Sequence, residues 1–184
     1  MNRLKFEKNL YLFFIDKMSA IVTDEEKYRN YFEMMYEICK KNSWGDPFSY
    51  ARSREIHMAG ILGHRIADKY SGADAYDKDN NPIEYKSTIC NRISGTYNGI
   101  SVLDTWEKQE EYIRNKKIGK YIHFIARYDG PYIVECWKLS GNTVLNILLP
   151  KIKKQYNKEK RGRDPRIGVT LNKTEIYKFG ERII

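Results

Sequence analysis

The chain has 184 residues, of which 33 are Lys or Arg and 24 are Asp or Glu, for a formal net charge of +9. That length suits one domain with a sizeable core, and the positive balance points to a polyanionic partner, nucleic acid before an anionic membrane surface. A basic surface that only aids solubility is the bland alternative. Three scattered cysteines, Cys39, Cys90 and Cys136, form no C-x-x-C pair, which argues against a disulfide framework or a thiolate zinc site and for a reducing, cytoplasmic setting. No apolar run reaches the length of a membrane span, and LYLFFI (10–15) is too short, and lacks a following cleavage site, to act as a signal peptide.

In chain order, Leu4, Leu10, Phe13, Phe14 and Met18 carry helical apolar spacing over residues 3–18. Thr23 and Glu26 have the spacing of a capping box. The helix they open runs to about Lys41 and is expected to bury Tyr28, Tyr31, Phe32, Met35 and Ile38. Trp44-Gly45-Asp46-Pro47 ends it, and a further helix is predicted from about Ser49 to Lys69, stopped by Ser71-Gly72. The period then changes. Residues 72–77 and 82–90 read as a hairpin around Asp77-Lys78-Asp79-Asn80-Asn81. A strand or loop over Gly95–Leu103 precedes a helix over 104–116 with Asp104 as its cap. KYIHFIARY and PYIVECWKL are strands joined at Asp129-Gly130, residues 141–156 are helical, and RIGVTL and EIYKF are expected as two last strands. Helices followed by strands with interspersed helices predict an α/β chain with a mixed central sheet flanked by helices. The expected organisation is one domain over 1–184, with a helical part at 1–45 and a core at 49–184.

The hairpin concentrates chemistry. Alternation along a strand puts Glu84, Lys86 and Thr88 on one face and Ile83, Tyr85 and Ser87 on the other. Asp74, on the paired strand, lies close to Glu84 if the register allows. Two carboxylates so close repel unless a cation stands between them, and hard oxygen ligands suit magnesium. A lysine beside them can orient a water and steady negative charge developing on a phosphate. On the preceding helix, at about 100° per residue, Met58, Ala59, Leu62 and Ile66 flank Glu55, so its charge falls on the apolar face while His57 and His64 fall opposite. Either the hairpin site or an ion pair to Arg52, one turn earlier, would satisfy it. Asp77-x-Asp79-x-Asn81 resembles the opening of a calcium loop, but Pro82 replaces its glycine and Thr88 its closing glutamate.

Asp74 followed by Glu84-Tyr85-Lys86 resembles the PD-(D/E)xK nuclease motif, with Glu55 matching the acidic residue on the helix before the hairpin and Ala73 in place of the motif's proline. The matching stretch covers residues 55–86. The chain as a whole is similar to the small catalytic subunits of heterodimeric Type IIS restriction endonucleases, whose large subunit is a nicking enzyme. This resemblance implies a restriction-endonuclease-like core in a bacterial cytoplasm. It implies that Asp74, Glu84 and Glu55 bind one or two Mg2+ ions, that Lys86 positions or activates water, and that a phosphodiester of double-stranded DNA is hydrolysed to leave a 5′-phosphate. It also implies a larger partner that reads the site and cuts the other strand.

The stretch KIKKQYNKEKRGRDPR supplies Lys151, Lys153, Lys154, Lys158, Lys160, Arg161, Arg163 and Arg166, a dense positive field suited to phosphates. A solvated helix end explains it equally well. The alternative readings are a self-sufficient structure-specific nuclease or resolvase, and a nucleic-acid-binding protein whose acids form structural ion pairs.

Overall fold

A computed structural model of the chain describes residues 23–68, 72–157 and 165–184. The chain divides into two compact units, Met1–Pro47 and Phe48–Ile184. The expected helix over 3–18 lies outside the described residues, as does the junction near Ser71.

In the first unit, α1 spans Asp24–Lys41. The capping box is formed: the Thr23 hydroxyl accepts from the Glu26 amide and the Glu26 carboxylate accepts from the Thr23 amide. Asp24, Glu25 and Glu26 in the first turn and Lys40 and Lys41 in the last complement the helix dipole. The expected burial of its apolar stripe is not found. Tyr28, Tyr31, Phe32, Met35 and Ile38 are 41–71% exposed, and Cys39 is the residue of the helix that is buried. Periodicity marks which face of a helix is apolar; it does not supply the surface that would cover it.

The second unit opens with α2, Arg52–Leu62, which ends earlier than expected because Gly63 adopts the left-handed conformation (φ 71°) and caps it. The residues expected to continue the helix instead form β1, Arg65–Ile66, and Ile66 is buried there rather than on the helix. β2 (Ala75–Tyr76) and β3 (Pro82–Thr88) make the predicted hairpin. Its turn is pinned by Asp77, whose carboxylate accepts from the backbone of Asp79 and Asn81, with Asn80 left-handed at φ 61°.

β4 (Gly95–Ile100) leads to α3, Trp106–Tyr112, and a wider turn at Ile113–Lys117. The cap of α3 is Thr105, whose hydroxyl accepts from the Lys108 amide, and not the expected Asp104, which pairs with the Lys108 ammonium instead. β5 (Ile122–Asp129) and β6 (Tyr132–Leu139) turn at Gly130, φ 53°. α4 covers Gly141–Tyr156 and β7 covers Ile167–Leu171. The last expected strand, EIYKF, is a helix: α5 spans Lys173–Phe179, opened by a second capping box between Asn172 and Glu175. The two-residue β8, Glu181–Arg182, follows.

The strands form a six-stranded mixed sheet in the order β1-β2-β3-β5-β6-β8 and a two-stranded ribbon β4-β7. β3 runs parallel to β5, with Glu84 opposite His123 and Lys86 opposite Ile125; the other neighbours are antiparallel. Paired residues share a face. On the Lys86 face, Ile125 and Leu139 join Val144, Leu145, Leu148 and Ile152 of α4 and Tyr97, Ile100, Val169 and Leu171 of the ribbon in one core. On the other face, His57 of α2 bonds the Tyr128 hydroxyl and His64 bonds that of Tyr85. The protein is thus mixed α/β, with helices flanking a mixed sheet. Among the described residues no helix is long and apolar enough to cross a membrane.

Candidate active site

The β2-β3 register pairs Ala75 with Ile83, and carrying it one residue further places Asp74 opposite Glu84. The Asp74 amide donates to the Ile83 carbonyl at 2.9 Å, and Asp74 Oδ2 accepts from the Tyr85 amide at 2.7 Å. Its second oxygen, Oδ1, has no hydrogen bond among the described residues. Burial, then the nearby charges of Glu84 and Glu55, push the Asp74 carboxyl up to about 7, against the opposing pull of Lys86 and the Tyr85 amide.

Glu84 Oε1 accepts from Lys86 Nζ at 2.5 Å, with the two side chains 13% and 22% exposed. Burial works against the Lys86 ammonium, but Glu84, Asp74 and Glu55 outweigh it and hold its proton above the ordinary range. Lys86 is therefore charged at neutral pH.

Glu55 reaches the same place from α2, close enough to Asp74 and Lys86 to act on the protonation of both. The ion pair to Arg52 is also formed, at 3.1 Å, with Arg52 only 2% and Glu55 17% exposed. Arg52 in turn donates to the Ala67 carbonyl, which ties the start of α2 to the segment leading to Asp74. Glu55 is thus an ion-paired carboxylate and a member of the acidic group at once. The structure brings together all four residues singled out from the motif.

As the side chains stand, Glu84 is turned onto Lys86 and Glu55 onto Arg52. Among the described residues no group of three or more His, Cys, Asp or Glu closes into a metal cage. The donor set nevertheless fits a hard divalent cation. It consists of carboxylate oxygens, one of them on Asp74 without a partner, and the crowding that raises Asp74 is what a cation would relieve.

Two participants were missed in the sequence. Tyr97 on β4 lies with its ring 5.2 Å from Lys86 Nζ, and its hydroxyl bonds His123 Nδ1 at 2.9 Å. His123 is a core residue, 0% exposed. Only the β3-β5 pairing, which sets it beside Glu84, and the crossing of β4 bring it to the site. No local motif announces that.

The basic stretch is partly spoken for. Lys151 donates to the Thr170 carbonyl and to Glu175, and Lys153 stands 5.1 Å over the Trp106 ring. Lys154 lines an open groove with Gln155, Gly168 and Thr170. Lys158, Lys160, Arg161 and Arg163 lie outside the described residues. No protein-family model matches the chain, and no curated protein matches its sequence.

Proposed function

We propose that the protein is a magnesium-dependent DNA endonuclease subunit, built on a restriction-endonuclease-like core, that hydrolyses a phosphodiester in one strand of double-stranded DNA beside a larger subunit that reads the site and cuts the other. The observation that carries this is Asp74. Burial and two neighbouring carboxylates raise its carboxyl to about 7, one of its oxygens has no hydrogen bond among the described residues, and it adjoins the Glu84-Lys86 ion pair. A carboxylate crowded in this way, in a strongly basic chain, suits a cation and a phosphate better than a structural salt bridge. The resemblance of Asp74, Glu84-Tyr85-Lys86 and Glu55 to the nuclease motif supports the same choice.

Asp74, Glu84 and Glu55 would hold the magnesium, with oxygen donors throughout. When bound, it supplies charge neutralisation at the phosphate and a more acidic water. Lys86 is held by Glu84, which favours its charged form. Its ammonium donates to a phosphate oxygen or to the attacking water and stabilises the charge that builds on the pentavalent centre. The Tyr85 amide fixes Asp74, while Glu84 and Glu55 would turn from Lys86 and Arg52 to share the ion.

The test uses the full-length chain with plasmid DNA and magnesium, alone and with whatever co-purifies with it from the native source, and maps both strand breaks. Loss of one break in Asp74→Ala and Glu84→Ala is the expected result. Unchanged cleavage by either variant refutes the proposal, and cutting of branched DNA by the chain alone would favour a self-sufficient nuclease.

A further inference from the structure

We infer that Tyr97, tethered by His123, is a positioning residue for the Lys86 ammonium. The inference rests on the proposed role of Lys86 and adds a second strand, β4, to the site.

A lysine side chain has four rotatable bonds, and an ion pair to a residue two places away on the same strand restrains only its tip. Lys86 has a second restraint. Its Nζ stands 5.2 Å from the centre of the Tyr97 ring, within the reach of a cation–π attraction. Glu84 therefore holds the ammonium at its oxygen while the Tyr97 ring flanks it.

The ring is itself fixed. His123 Nε2 lies 2.9 Å from the Ile118 carbonyl, which can only accept, so Nε2 carries the proton. Nδ1 is then bare, and the Tyr97 hydroxyl must donate to it across 2.9 Å. The ring of Tyr97 meets that of His123 edge-on, with centres 5.5 Å apart. Tyr97 is 5% and His123 0% exposed, so neither side chain has room to turn.

The backbone is shaped for the approach. A side chain at Gly95 would meet Ile125 Cδ1 at 3.0 Å and Lys86 Cβ at 3.5 Å, so glycine there lets β4 lie close over the Lys86 face. A chain of contacts runs from Ile118 through His123 and Tyr97 to Lys86, and it ends at the reacting group.

Tyr97→Phe keeps the ring and drops the tether; Tyr97→Leu drops both, with Tyr97→Met in its place if the leucine variant does not fold. In the metal-free full-length protein, the Lys86 Hε resonances, assigned by their loss in Lys86→Arg, are displaced upfield by the ring. The displacement persists in the Phe variant and vanishes in the Leu variant. In strand cleavage at saturating magnesium, the Leu variant loses roughly tenfold in kcat with little change in KM, and Phe restores most of that loss. An unshifted Lys86 resonance in the parent, or a Leu variant with parental kcat, overturns the inference. If Asp74→Asn still cleaves, the proposed function falls instead, and the resonance comparison alone decides the placement of Tyr97.

Discussion

Glu135 on β6 and Asp74 at the foot of β2 are carboxylates of the same sheet, the first buried and the second half-buried, and their partners differ. Glu135, 7% exposed, accepts from Arg127 Nε at 2.7 Å, the Tyr177 hydroxyl at 2.8 Å and the Trp137 indole at 3.0 Å. Burial opposes its charge, but those donors outweigh burial and keep its carboxyl below the ordinary 4.5. Asp74 receives one backbone amide and faces two other acids, and its carboxyl is raised to about 7. A fully bonded buried charge fixes neighbouring elements in place, here β5, β6 and α5. A half-buried carboxylate left short of donors costs stability, and its retention is best explained by something that binds there.

The widest separation between the two sites is expected in catalysis. Asp74→Asn should lower strand cleavage by about a hundredfold or more, since it removes charge aimed at the reacting group. Glu135→Ala should leave cleavage per folded molecule unchanged and destabilise the protein by about 2–3 kcal/mol in a denaturant melt, because it strands the Arg127, Trp137 and Tyr177 donors. Arg127 is 28% exposed, so water can recover part of that loss. Equal cleavage by the two variants would erase the contrast.

Much of the Asp74 site was legible from spacing, and little of the Glu135 site was. Alternation separates the faces of β3 and Asp77-Lys78-Asp79-Asn80-Asn81 marks the turn, but the register that brings Asp74 to Glu84 is set by the β2-β3 pairing itself. Glu135 draws its partners from β5, β6 and α5, and α5 was misread as a strand. Ile176, Tyr177 and Phe179 have strong strand propensity, but the Asn172-Glu175 capping box, present in the sequence, outweighs it. Gly63 likewise ended α2 where the apolar pattern ran on. The stripe of α1 was read correctly as a pattern and wrongly as buried, because cover is a tertiary property. Tyr97 and His123 could not have been found, since their meeting with Lys86 depends on a parallel strand pair and a crossing ribbon.

The same contrast has a sign that pH can read. Asp74 holds its proton more tightly folded, at about 7, than at its ordinary 3.8. The metal-free protein therefore loses stability as pH rises from 3.8 to about 7 and does not regain it above. Asp74→Asn removes that loss, so at pH 8 the metal-free variant should exceed the parent by an amount bounded at about 4 kcal/mol, with no gain at pH 4. Magnesium should then stabilise the parent and leave the variant unmoved. His123, lowered to about 4 by burial, acts in the opposite sense, with stability lost as pH falls from 6.5 through 4. It is common to both proteins and cancels in their difference. A variant less stable than its parent at pH 8 would mean that Asp74 is satisfied in the manner of Glu135.

The smallest effect tests whether the two sites are separate. The Asn172 side chain accepts from the Glu175 amide, and the Glu175 carboxylate accepts from the Asn172 amide and from Lys151. Together they hold the start of α5, which carries Tyr177 to Glu135. Asn172→Ala should cost about 1 kcal/mol in a thermal or denaturant melt, the usual loss for a helix cap. The cost should be smaller when Glu135 is already Ala, because loosening α5 then gives up less. It should be additive with Asp74→Asn, whose surroundings share no partner with α5. Additivity with Glu135→Ala would show that α5 holds Tyr177 in place without its cap, and coupling to Asp74→Asn would show that the sheet transmits strain from one carboxylate to the other.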